Sequence, residues 1–138
     1  MAEFAEPGSG KDGAVAGKTY QDLPVVARGV LDVLQGELAS PELYKEYVGR
    51  YLEMWPGRYQ RMVSALDADD QEALMDAVLS VKTSAGMLGA VRLQQLALTI
   101  ENAVRKQQMD GVRAVLNELE GCGQITSEQL RLELSHEI

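Results

Sequence analysis

The chain has 138 residues, enough for one domain with a buried core and too few for two of ordinary size. Its 21 acidic against 13 basic side chains leave a net charge of −8, which repels a phosphate backbone and argues against a nucleic-acid partner. One cysteine, Cys122, excludes an intrachain disulfide, and no apolar run approaches the roughly 18 residues of a spanning helix.

Without a basic start and apolar run of signal-peptide length, the N-terminus fits a soluble cytoplasmic protein with no membrane partner. Aromatic residues make up only 5% of the chain, and its apolar 46% is mostly Leu, Val, Ala and Met, which helices accept with little loss of rotamer freedom. The expectation is an all-α domain.

Residues 1–22 carry Gly8, Gly10, Gly13 and Gly17 with Pro7 and scattered charge, too little apolar surface to offset ordering, and read as a flexible tail. The domain is then 23–138. Residues 23–38 follow as a short covering helix, with Pro24 in its first turn and Val26, Val30, Val33 and Leu34 at helical spacing. Ser40 offers an N-cap hydroxyl and Pro41 suits the first helical position of a long helix to about residue 66. Val48, Leu52, Trp55, Tyr59, Met62 and Leu66 line one face of it. Pro56 lies inside this helix, removes a backbone donor and is expected to bend it.

Asp69 with Glu72 forms a capping-box signature for the next helix, which runs to Leu88 and stops at Gly89. Leu74, Val78, Val81, Ala85 and Leu88 form its core face. Residues 90–107 supply another helix through Leu93, Leu96, Ile100 and Val104. The last begins near Asp110 with Val112, Val115, Leu119 and Cys122. Gly121 and Gly123 each cost about 1 kcal/mol relative to Ala inside a helix, so a break is expected there, with Thr126 and Gln129 capping a continuation to about 134. Short links between long amphipathic helices make neighbours antiparallel. The expected architecture is an up-down four-helix bundle over residues 40–134 with the short N-terminal helix across one end.

SPELYKEYVGRYLEMWP, ALDADDQEALMDAV and LGAVRLQQLALTIENAVR agree in order and spacing with three successive helices of a known family. From residue 30 to 134 the chain resembles the histidine-containing phosphotransfer (HPt) domain of bacterial two-component phosphorelays. That family's signature reads Ala-His-x-Leu-Lys-Gly-Ser, then Leu-Gly-Ala. The matching residues are Val78, Leu79, Ser80, Val81, Lys82, Thr83 and Ser84, followed by Leu88, Gly89 and Ala90. Leu79 stands where the family carries its phosphoacceptor histidine, and Thr83 where it usually has a small residue.

The helical wheel places Met75, Leu79, Lys82, Thr83 and Gly86 on the outward or boundary stripe. An imidazole at 79 could attack a phosphoryl group, whereas leucine has no lone pair to offer. Ser80 and Thr83 carry hydroxyls with no general base at helical spacing, and the one histidine, His136, lies in a C-terminal segment expected to fray. Nothing in the chain reads as a metal cluster, a cofactor site or an enzymatic centre.

The resemblance implies a pseudo-HPt protein that binds a receiver domain or a histidine kinase without carrying phosphate. In the family, receivers dock on the face of the long helix and the motif helix. Lys82 resembles the lysine beside the phosphoryl group. The five stripe residues are the candidate partner-binding set, on a monomer rather than a homodimer. The alternatives are an active phosphocarrier that uses another residue, and a self-associating structural bundle.

Overall fold

The structure is a computed structural model that describes the backbone of residues 21–136 and the side chains of 21–135. The expected tail therefore lies outside the described residues except for Gln21 and Asp22. Among the described residues there are five helices and no strand: α1 (Arg28–Glu37), α2 (Pro41–Asp67), α3 (Gln71–Leu88), α4 (Val91–Arg105) and α5 (Val112–His136).

Helices α2 to α5 run alternately up and down and pack as a closed ring, each against its two neighbours, with no pairing across the diagonal. The tightest pairing is α3 with α4, and the loosest within the ring is α2 with α5. Helix α1 lies over one end, on α3 and α2. This is the expected four-helix bundle with its short covering helix.

Local chemistry sets most of the boundaries. The Ser40 hydroxyl accepts from the Leu43 amide at 3.2 Å, and Pro41 occupies the first turn of α2. Helix α3 is capped one residue later than the sequence suggests. Asp70, not Asp69, accepts from the Ala73 amide at 3.0 Å, while Asp69 turns the chain with φ 54°. Gly89 ends α3 in the left-handed region at φ 74°, where a Cβ would strike Val30 and the Ala27 carbonyl. The same turn seats α1, because the Ala27 amide donates to the Gly89 carbonyl at 2.7 Å. Arg92 reaches the Leu23 carbonyl, and Arg28 pairs with Glu133 on α5. These ties hold residues 23–27 out of the helix that the sequence suggests, so α1 starts at Arg28. Its phase also differs from the expectation. Leu31 and Leu34 are buried, whereas Val30 and Val33 are exposed.

The long helices settle two further expectations. As expected, the long helix runs through Pro56, which lies on its exposed side. Helix α5 does not break at its glycines: Thr126 is buried mid-helix and its hydroxyl donates to the Cys122 carbonyl at 2.8 Å instead of starting a new helix. The reason for glycine at 123 is across the bundle. A Cβ there would lie 2.0 Å from the Trp55 ring, so glycine is what lets α2 and α5 approach around that indole. Gly121 is exposed, and a Cβ there meets nothing within 4 Å.

These two glycines give a paired prediction. Gly123→Ala should lower stability by about 1–3 kcal/mol through overpacking against Trp55, despite alanine's helix preference. Gly121→Ala should raise stability by up to about 1 kcal/mol. Urea unfolding midpoints of the two variants should move in opposite directions; parallel shifts would contradict the packing role of Gly123.

Candidate functional site: the outward stripe of α3

The buried face of α3 fixes where every other residue of the helix points. Leu74, Val78, Val81, Ala85 and Leu88 are all at most 1% exposed, and Ala77 joins them. The phase read from the sequence is therefore the observed one. Leu79 falls at the edge of this face: it is partly buried, neither sealed in the core nor among the exposed large hydrophobics.

The remaining stripe residues occupy distinct environments. Met75, one turn before Leu79, is partly buried and packs against the core cluster. Thr83 is exposed. A Cβ on Gly86 would lie 2.6 Å from the Gln94 side-chain nitrogen, so the α4 amide lies across this glycine. Lys82 is not a free charge: its Nζ donates to Glu101 Oε1 of α4 at 2.6 Å. Lys82 and Gly86 therefore turn towards α4, while the α2 side of the helix is served by other residues. There the Tyr47 hydroxyl donates to Met87 Sδ at 3.3 Å, and Ser84 donates to the Ser80 carbonyl at 2.7 Å. The face shared with α2 thus does not hold the lysine of the motif.

Glu101 is the residue that the sequence reading missed. It is 6% exposed, and both carboxylate oxygens are engaged, Oε1 by Lys82 and Oε2 by Arg105 at 2.7 and 3.0 Å. A buried carboxylate is tolerated when it is paired and hydrogen-bonded in this way. The hydrogen bond from Lys82, then that from Arg105, hold its carboxyl below the ordinary carboxylate range, against the upward pull of burial. Glu101 and Arg105 stand four residues apart on α4, the spacing of a helical ion pair, and that spacing was the available sequence signal.

Chemically, the stripe offers an apolar edge at Met75 and Leu79 beside a lysine whose charge is already matched. The Leu79 side chain has no lone pair with which to accept a phosphoryl group. His136 closes α5, and its side chain lies outside the described residues. Among the described residues no group of three or more His, Cys, Asp or Glu could hold a metal ion, and no helix is long and apolar enough to cross a membrane.

The sequence profile of the Hpt domain matches residues 46–136. No curated protein is a significant match. Among solved structures, the bundle is similar to the crystal structure of histidine-containing phosphotransfer protein B from Pseudomonas aeruginosa PAO1. The TM-score is 0.76 at 22% identity, over 82% of this chain and 96% of that one.

A charge-neutral replacement tests the role of Glu101. Glu101→Gln should cost about 1–3 kcal/mol at pH 7, the scale of a lost charge-assisted hydrogen bond. Because the folded-state pKa is depressed, this stabilisation is complete above the ordinary value of 4.5 and is lost as pH falls through the lower folded value. Urea titrations of both proteins should therefore show a stability gap that closes only below that value; a gap independent of pH would refute the pairing.

Proposed function

The chain belongs to the Hpt domain family, and we propose that it is a member that binds its signalling partner without carrying phosphate. The observation that carries this reading is Leu79 at the position of the phosphoacceptor histidine, on a helix whose core face is otherwise intact. The partner is a receiver domain of a response regulator or a histidine kinase. It docks over Met75, Leu79, Lys82, Thr83 and Gly86, on a monomeric cytoplasmic protein, and no chemical step is assigned to the complex.

A phosphohistidine site needs an accessible imidazole and a cation free to meet the phosphoryl oxygens. Here an aliphatic side chain replaces the first, and Glu101 already occupies the second. What is left suits contact: adjacent Leu and Met at a partly covered edge form an adaptable apolar patch. With Lys82 internally matched, binding depends on shape and apolar burial more than on long-range attraction. Such a protein would compete with a true phosphocarrier for the same regulator or sequester it.

Calorimetric titration against the receiver domains of the same genome tests this. Leu79→Asp should weaken the binding seen for the wild type by at least about tenfold, as expected for a charge placed at the centre of an apolar contact. A thermal melt of the free variant controls for loss of fold. Equal affinity for wild type and variant would remove this stripe from the interface.

A further inference from the structure

The ring of helices closes between α2 and α5 around Trp55, and beside that indole the two helices leave a cleft of about 420 Å³. This volume lies within the range of small-molecule sites. The cleft is on the opposite side of α2 from α3, away from the stripe around Leu79, and its lining carries two carboxylates against one cation. Trp55 and Tyr59 supply two rings with centroids 6.2 Å apart, inclined at 37°. Pro56 has no N–H, so the Leu52 carbonyl lacks the donor that residue 56 of a regular helix would give it, and Leu52 also lines the cleft.

From α5 come Glu120, Ser127 and Glu128. Ser127 is 5% exposed, yet its hydroxyl makes no hydrogen bond, whereas Ser84, Thr99, Thr126 and Ser135 each donate to the carbonyl four residues earlier. The buried side-chain polar atoms without a partner are on Tyr44, Tyr51 and Arg58, so the Ser127 oxygen keeps access to the cleft that this residue lines. Neither Glu120 nor Glu128 has a cation within ion-pair distance among the described residues. Burial, and after it the charge and hydrogen bonding of Glu120, raise the Tyr59 hydroxyl above its ordinary pKa, which puts that phenol against the Glu120 carboxylate. Arg131 is the single positive residue of the lining and stands one turn after Ser127 and Glu128 on α5.

Spacing along α5 then selects the ligand. Glu120 and Glu128 are separated by eight residues, about 12 Å at the helical rise of 1.5 Å per residue. Between them lies the aromatic floor of Trp55. We propose that this cleft binds a linear aliphatic polyamine, with one terminal ammonium at Glu120 and Tyr59 and the other at Glu128, Ser127 and the Leu52 carbonyl. An ammonium is a donor with no acceptor, so it matches two carboxylates, a hydroxyl and a carbonyl that lacks its usual helical donor. The methylene chain lies on the indole, where cation–π attraction and apolar contact both act. An anion would meet the carboxylates, and a neutral apolar ligand would strip them of water without replacement.

Trp55 is the one tryptophan of the chain, so its emission reports on the cleft directly. The full chain is titrated with spermidine, putrescine and n-butylamine by fluorescence and calorimetry in about 150 mM salt, where diffuse attraction to an acidic protein is largely screened. Spermidine should give a saturable change and bind at least about tenfold tighter than the shorter diamine or the monoamine, because only it reaches both carboxylates. Glu120→Gln and Glu128→Gln, both at exposed positions, should each weaken spermidine by about tenfold while leaving the thermal midpoint of the free protein unchanged. No saturable signal by either method, equal affinity for putrescine, or unchanged binding by both variants would each overturn the assignment. The outcome is independent of whether the α3 stripe binds a receiver.

Discussion

The rotational setting of α3 is the constraint from which the remaining features follow. Five side chains at helical spacing, Leu74, Val78, Val81, Ala85 and Leu88, are buried against the other helices, and a helix with a face so completely covered has one phase only. Its two ends are locked by different chemistry, an aspartate cap at Asp70 and the left-handed Gly89. Position 79 is therefore placed at the edge of the packed face whatever residue occupies it. An imidazole there would have been reachable; a leucine there is a partly covered apolar surface.

The α3–α4 pairing then determines how the rest of the stripe behaves. It is the tightest contact in the ring, close enough for Gln94 to cover Gly86 and for Glu101 to take the charge of Lys82. An ion pair of this kind is weak evidence for net stability, but removal of one partner leaves a buried charge uncompensated. Its consequence for function is more direct. A lysine held at 2.6 Å from a buried carboxylate is poorly placed to neutralise an incoming phosphoryl group.

Much of the bundle was legible in the sequence. The core residues of α3 and α4 follow the 3.6-residue period, and Ser40, Pro41 and Gly89 mark helix ends by local backbone chemistry that needs no tertiary information. What the sequence did not reveal depends on contacts between distant residues. Gly123 reads as a helix breaker until Trp55 is seen to lie against it, and Val30 and Val33 look like a buried face until Leu31 and Leu34 are seen to take that place. The partner of Lys82 could not be read from the sequence because Glu101 lies on another helix. The sequence did not show that two members of the candidate stripe, Lys82 and Gly86, lie against α4.

The core face of α3 is intact, and in the proposed reading its outward stripe serves contact rather than phosphoryl transfer. The most direct measurement is phosphotransfer to the wild-type chain from a receiver domain carrying labelled phosphate, followed over a time in which a histidine-bearing Hpt protein of the same genome is labelled. The account predicts no label on this chain, and uptake of acid-labile label once Leu79 is replaced by histidine. Durable label on the wild type would contradict it.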